Sequence, residues 1–231
     1  MKYVFDIDGV LVPHGGVIED DFCRFFVEWM DNKNVSVVSG SSFSRICQVL
    51  SETIINKLWT IFSCNGTKGH RNKKEIYSMD VIWPQDLFSD MNMLMEYSKW
   101  NPKLRFGNHI ENRETAINFS VLGRNASELN RKKYSEWDST FRERKTICEY
   151  INENFPELEC SIGGAISVDI TKKGFGKHLI LDYMDGDITF FGDRCYPGGN
   201  DYTLSEKLKE KNQKVYQIEN YGEVIDILRR I

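Results

Sequence analysis

Residues Tyr3-Val4-Phe5-Asp6-Ile7-Asp8-Gly9-Val10 decide how the rest of this chain reads. Tyr3, Val4 and Phe5 make a β-branched and aromatic run that suits a strand. Asp6 ends it, and Gly9 lets the backbone turn away. In an open parallel α/β sheet, ligands sit just past the carboxyl ends of strands, where this stretch sets two carboxylates. On a continued strand, Asp6 and Asp8 would point to one face. Carboxylates that close repel one another, so the pair favours a cation with a preference for oxygen, such as Mg2+. A solvated Asp-x-Asp-Gly turn reads the same four residues equally well.

The far end of the chain tips that balance. Ile188-Thr189-Phe190-Phe191 is a second apolar strand, followed by Gly192-Asp193-Arg194 and Pro197-Gly198-Gly199-Asn200-Asp201. Again a strand runs out into glycine and acids. The pair of motifs resembles the haloacid dehalogenase superfamily of phosphoryl-transfer enzymes. Its first motif is Asp-x-Asp-x-Thr/Val, and its fourth is Gly-Asp with another Asp several residues on.

The chain has 231 residues, 41% of them apolar and 28% charged, with a net charge of −4. This is a globular composition with enough material for a core. Acids and bases are mixed along it, which argues against a broad nucleic-acid or anionic-membrane surface. No apolar stretch approaches the ~18 residues of a membrane span. The first strand starts at residue 2 and is read as leaving no room for a removed targeting peptide. The six cysteines, Cys23, Cys47, Cys64, Cys148, Cys160 and Cys195, show no Cys-x-x-Cys spacing. Free thiols among apolar neighbours behave as small hydrophobes, so the expected location is a reducing cytoplasm. Cys195 lies near the second acidic motif, where a passive role is expected.

After the first motif, Ile18, Phe22, Phe25, Phe26 and Trp29 recur at helical spacing, with acids at the start. Val35 to Val38 reads as a strand running into Ser39-Gly40-Ser41-Ser42. A right-handed crossover would bring Ser39 beside Asp6. There the serines can hold a phosphate oxygen at a helix start, and Ser41 or Ser42 reads equally well as the cap of the next helix. That helix covers residues 43–50, and a third strand covers 59–63. Residues 70–75 read as a charged turn. Helices are expected over 87–100 and 140–153, with strands at 109–111, 116–120 and 165–169. Runs of strands plus a pair of helices suggest an α+β insert on a parallel-sheet core. From Gly174 a helix through Leu179, Ile180 and Tyr183 is expected, then the second acidic motif. A helix at 204–211, a strand at 215–217 and a helix at 224–228 close the chain.

The insert carries a more specific pattern. It contains Ile110-Glu111-Asn112-Arg113, then Asn118-Phe119-Ser120-Val121-Leu122-Gly123-Arg124, then Arg131. Gly163-Gly164-Ala165-Ile166-Ser167-Val168-Asp169 and Gly174-Phe175-Gly176-Lys177 follow. These runs are similar at nearly constant spacing to the eukaryotic-type phosphomannomutases, and with Pro197-Gly198-Gly199-Asn200-Asp201 the likeness spans residues 3–205. It implies an α/β protein with a doubly wound parallel-sheet core at residues 1–78 and 174–231 and an α+β cap at 79–173. Substrate would bind in the cleft and close the cap, excluding water. Carried over by position, Asp6 is the nucleophile, Asp8 the general acid/base, and Lys177 a holder of phosphoryl oxygens. Asp6, Asp8 (through its carbonyl), Asp193 and Asp201 are the Mg2+ set. Ser39, Ser41, Arg113, Arg124, Arg131, Ser167 and Asp169 are the substrate contacts. A lone arginine reads as a solvated surface charge, and only the shared intervals make these a clamp.

Three departures stand out. Val10 replaces the usual Thr, Gly15 stands where the family has a phosphate-directed Arg, and Ser39-Gly40-Ser41-Ser42 replaces Gly-Gly-Ser-Asp. His14 is next to the missing Arg but in a different register. The resemblance implies interconversion of mannose 6-phosphate and mannose 1-phosphate by a homodimer joined through the cap. The alternatives are a Mg2+-dependent sugar phosphatase and a non-catalytic sugar-phosphate-binding protein.

Overall fold

The computed structural model describes residues 1–231. They divide into two compact units, Met1–Met79 with Phe175–Ile231, and Asp80–Gly174. In chain order, the first unit opens with β1 (Lys2–Phe5), α1 (Asp20–Trp29), β2 (Asn34–Val38), α2 (Phe43–Val49) and α3 (Glu52–Lys57). β3 (Thr60–Ser63), β4 (Lys68–Arg71) and β5 (Lys74–Ser78) follow. The second unit holds α4 (Leu87–Glu96), β6 (Ile110–Asn112), β7 (Ala116–Phe119), α5 (Glu128–Phe141), α6 (Glu143–Asn154), β8 (Leu158–Gly163) and β9 (Ser167–Lys172). The first unit resumes with β10 (Ile188–Gly192), α7 (Tyr202–Glu210), β11 (Lys214–Gln217) and α8 (Glu223–Leu228). No helix is long and apolar enough to cross a membrane.

The first unit is built on a seven-stranded sheet ordered β11-β10-β1-β2-β3-β4-β5. β11 through β3 run parallel, and β4 and β5 add an antiparallel edge. From β1 the chain builds outward through β2 and β3 on one side and later returns to build β10 and then β11 on the other, which makes this the doubly wound arrangement. Phe5 pairs in register with Phe191 on one side and Val37 on the other. Near-continuous apolar runs in these strands are what burial on both faces requires. On one face, α1 presents Phe22, Phe26 and Trp29, with Phe26 edge-on to Phe5 at 5.2 Å between centroids. α2 and α3 begin at Ser42 and Ser51, whose hydroxyls accept from Arg45 N and Ile54 N.

Two expectations change here. Residues 70–75 are not simply a turn. Asn72 and Lys73 alone make the bend, both with positive φ (50° and 61°), as a two-residue hairpin turn demands. The flanking residues extend the sheet, and His70 is buried against the Phe43 ring at 4.1 Å. The segment after Gly176 is a 3-10 turn, Lys177–Asp182, rather than an α-helix. Its three-residue period puts Lys177 and Ile180 on the same buried side.

The second unit is a four-stranded antiparallel sheet, β6-β7-β9-β8, with its own core around Ile117, Phe119, Tyr134, Ile151, Val168 and Ile170. Residues 97–100 lie outside α4, with Trp100 tied by its indole N–H to Leu104 O at 2.9 Å. β8 and α5 lack a legible apolar pattern. α5 buries only Tyr134 and Asp138, so its sequence reads as polar loop. The helix expected over 140–153 starts at Glu143, because Arg142 adopts φ 54° and separates α6 from α5.

Candidate active site

Parallel pairing of β1 and β10 brings their carboxyl ends together. Asp6 N continues the ladder to Phe191 O at 2.8 Å, so Asp6 comes alongside the Gly192–Asp193 turn. Asp201 precedes α7 and turns its carboxylate away from that helix, with no capping bond. Oxygens of Asp6, Asp193 and Asp201 lie within 4.8 Å of one another. Two glycines make room for them. A Cβ on Gly192 would meet Asp201 Oδ2 at 2.8 Å, and one on Gly9 would meet Asp193 Oδ2 at 2.8 Å. Gly9 also holds φ +84°, the left-handed region that suits glycine.

Lys177 arrives from the 3-10 turn with none of its side chain exposed and bridges Asp6 Oδ1 and Asp201 Oδ1, each at 2.7 Å. Burial alone would lower the ammonium's pKa, but Asp201 and then Asp6 outweigh it and hold it above its ordinary value. Asp6 is pushed up by burial, Lys177 opposes this, and the like charges of Asp201 and Asp193 reinforce it. Asp193 is raised for the same reasons, burial first and Asp201 second. Three carboxylates around one lysine leave excess negative charge. Both oxygens of Asp201 are engaged, Oδ1 by Lys177 and Oδ2 by Arg194 N at 3.1 Å. Asp193 Oδ1, by contrast, is buried with no hydrogen-bond partner. An all-oxygen donor set with an unmet acceptor suits a hard divalent cation, with Asp6 and Asp193 better placed than Asp201 to hold it.

Asp8 is elsewhere. The strand stops at Phe5, Ile7 N donates back to Asp6 Oδ1 at 2.7 Å, and the chain turns, so the two-residue alternation does not persist. The Asp8 carboxylate is therefore not part of the three-acid cluster, and its Oδ1 accepts from Gly15 N at 3.4 Å. Ser39 follows β2, is buried, and takes Ser41 N on its hydroxyl at 3.1 Å. Ser42, not Ser41, caps α2. His14, out of register with the missing Arg and given no role by the sequence, has its Nε2 3.3 Å from Asp193 Oδ2. Only the turn at Gly9 brings it there.

In the second unit, a row of residues crosses the sheet in register: Glu111 opposite Asn118, Asn118 opposite Asp169, and Asp169 opposite Ser161. Such a row shares one face. Asn118 Nδ2 donates to Asp169 Oδ1 at 2.7 Å and Ser167 Oγ at 2.9 Å, while its Oδ1 accepts from Arg124 Nη1 at 3.2 Å. Ser167 in turn donates to Gly163 O at 2.8 Å. The Glu111 carboxylate receives Arg113 Nη2 at 2.7 Å and faces Arg124 Nε at 3.3 Å. Partial burial would raise Glu111, but the two arginines outweigh it and hold it below its usual range. Arg131, on α5, donates to the carbonyls of Ala126 and Arg124. Burial and then the like charge of Arg113 lower the Arg124 pKa, and Arg131 adds to this. A guanidinium stays charged regardless. Arg113 and Arg124 therefore gather around Glu111 and Asp169, with the charge of Arg131 felt at Arg124. Three cations beside two carboxylates leave an excess positive charge suited to an anion. Asn118 and Glu111 sit inside the motifs already quoted. Strand pairing would have singled them out, and no local pattern does.

A family model described as eukaryotic phosphomannomutase matches residues 22–229. That match begins after the first acidic motif. A phosphomannomutase from Glycine max is 32% identical over 211 residues, covering 88% of this chain and 85% of that protein. One from Spinacia oleracea is 31% identical over 209 residues, covering 87% and 84%. Among solved structures, a haloacid dehalogenase-like hydrolase from Bacteroides thetaiotaomicron superposes with a TM-score of 0.63 at 13% identity, covering 99% of this chain and 98% of that one. At that identity the likeness concerns the fold.

Proposed function

This chain belongs to the eukaryotic phosphomannomutase family, and from that premise we propose that it interconverts mannose 6-phosphate and mannose 1-phosphate through a phosphoryl group carried on Asp6. The observation that carries this reading is the buried Lys177 bridge between Asp6 and Asp201. It occupies Asp6 Oδ1, together with Ile7 N, and leaves Oδ2 as the attacking oxygen. The Oδ2–phosphorus bond forms as the bond from phosphorus to the sugar oxygen breaks, and Asp8 supplies the proton that oxygen needs. The phosphoryl group then returns to a sugar hydroxyl, with Asp8 taking the proton back. Lys177 holds phosphoryl oxygens throughout.

The metal we assign is Mg2+, held by Asp6 and Asp193 with the Asp8 carbonyl, and with Asp201 as the fourth member of the set. When bound, it neutralises charge on the transferring group. In the second unit, Arg113, Arg124 and Arg131 bind a sugar phosphate through forked guanidiniums. Ser167 and Asp169 meet its phosphate and hydroxyls, and Ser39 and Ser41 offer hydroxyl and N–H groups to the transferred one. We also assign a cytoplasmic location, which the six unpaired thiols suit, and a homodimer through the second unit, testable by light scattering.

Phosphorus NMR of mannose 1-phosphate with Mg2+ and a trace of hexose 1,6-bisphosphate tests the reaction. Mannose 6-phosphate is the expected product. Inorganic phosphate alone would replace this reading with a sugar phosphatase. Asp6→Asn should abolish both turnover and any mass gain on incubation with the bisphosphate, and full turnover by that variant would overturn the role of Asp6.

A further inference from the structure

We propose that Cys148 and Cys160 form an oxidisable dithiol site in the second unit, which a peroxide closes to an intramolecular disulfide. Cys148 sits on α6 and Cys160 on β8, both almost fully buried, with their sulfurs 3.2 Å apart. That is tighter than ordinary contact between unbonded sulfurs, and a disulfide needs them to close to about 2 Å. The backbone already holds the pair in place. Asn152, one helical turn after Cys148 on the same face of α6, grips the main chain of Cys160 from both sides. Its Oδ1 accepts from Cys160 N at 2.7 Å, and its Nδ2 donates to Cys160 O at 3.2 Å. Helix and strand are thus fixed to each other beside the two sulfurs, and closing the bond asks for side-chain rotation rather than movement of either element.

The environment also separates the roles of the two thiols. Cys160 gives its S–H to Cys148, and this bond, then burial, raises its pKa. The Cys160 S–H is aimed at the Cys148 sulfur, a hydrogen bond that favours Cys148 as the thiolate, so Cys148 is assigned as the attacking sulfur. As the thiolate, Cys148 attacks one peroxide oxygen. The O–O bond breaks, a sulfenic acid forms, and the hydroxide released takes up the proton that Cys148 lost, giving water. Cys160 sulfur then displaces the sulfenic hydroxyl, which leaves with the Cys160 proton as a second water. Both sulfurs are oxidised to the disulfide, and one peroxide is reduced to two waters. Cys148 and Cys160 keep 8% and 5% of their surface exposed, so the oxidant the proposal requires is one as small as hydrogen peroxide.

The new bond would join α6 to the strand in which Ser161, the next residue, pairs with Asp169. The remaining cysteines offer no such geometry. Cys47 is exposed, and an exposed thiol is the one to form adducts between molecules.

The test is peptide mapping of the full chain carrying Cys47→Ser, treated with hydrogen peroxide, then unfolded and alkylated. The expected result is a linked peptide joining Cys148 and Cys160 and a free-thiol count lower by two, both reversed by a thiol reductant. Cys148→Ala in the same background should leave Cys160 alkylatable. Recovery of both cysteines as alkylated thiols, conversion of either to sulfinic acid without a cross-link, or linkage of Cys148 to a different cysteine would each overturn the proposal. The parent protein decides the matter even if Cys148→Ala fails to fold.

Discussion

Lys177 Nζ and Asp6 Oδ1 lie 2.7 Å apart, with the two side chains 0% and 5% exposed. Lys177 is also the cation placed among Asp6, Asp193 and Asp201. Lys177→Met keeps most of the side-chain volume and leaves the carboxylates facing one another. Removing one partner of a buried pair costs about 3–5 kcal/mol. Urea unfolding should show a loss of that size, with turnover abolished. An unchanged midpoint would mean that the carboxylates do not depend on this ammonium for their burial.

Arg124 meets Glu111 and Asn118 on the sheet face of the second unit. Arg124→Ala should reduce kcat/KM for a hexose phosphate by roughly 10–100-fold, the worth of a charge-assisted hydrogen bond of about 1.5–3 kcal/mol. A small aryl phosphate has no distal group to lose and should be turned over nearly as before. Equal losses on the two substrates would remove Arg124 from the sugar-phosphate contacts.

Gly9 supports the acid cluster from below, where a Cβ would press on Asp193 Oδ2 and His14 Cε1, each at 2.8 Å. Gly9→Ala should cost about 1–2 kcal/mol from the left-handed backbone alone. It should also weaken Mn2+ binding measured by titration calorimetry, because Asp193 must shift. Wild-type affinity in a variant that has lost stability would separate backbone strain from the cluster.

Tyr221 packs edge-on against Phe22 at 5.4 Å, and its phenol is pushed up to about 12 by burial and by the nearby Glu19 carboxylate. A proton held more tightly in the folded state contributes stability that is complete below the unfolded value, near 10. That contribution disappears as pH rises through about 12. Tyr221→Phe should therefore show a shallower stability loss between these pH values in alkaline urea titrations. A slope identical to wild type would assign the alkaline loss to other groups.

Local signals carried much of the fold. Tyr3 to Phe5 and Ile188 to Phe191 declare strands, the Phe22-Phe26-Trp29 stripe declares a helix, and acids at both strand ends mark where ligands gather in a parallel sheet. The motif intervals also identified the family, because spacing is a property of the chain itself. Pairing and burial are not. Asp8 shares a motif with Asp6 but leaves the cluster, since the strand ends at Phe5 and its two-residue alternation does not reach Asp8. Helix α5 reads as loop because it buries only two side chains. The row Glu111, Asn118, Asp169 exists only once β6, β7 and β9 are in register. Lys177 looks like any lysine after a glycine-rich turn. It becomes the buried counter-charge of Asp6 only when residues far apart in the chain fold together, because the energy of a buried charge depends on what surrounds it in space and not on its neighbours in sequence.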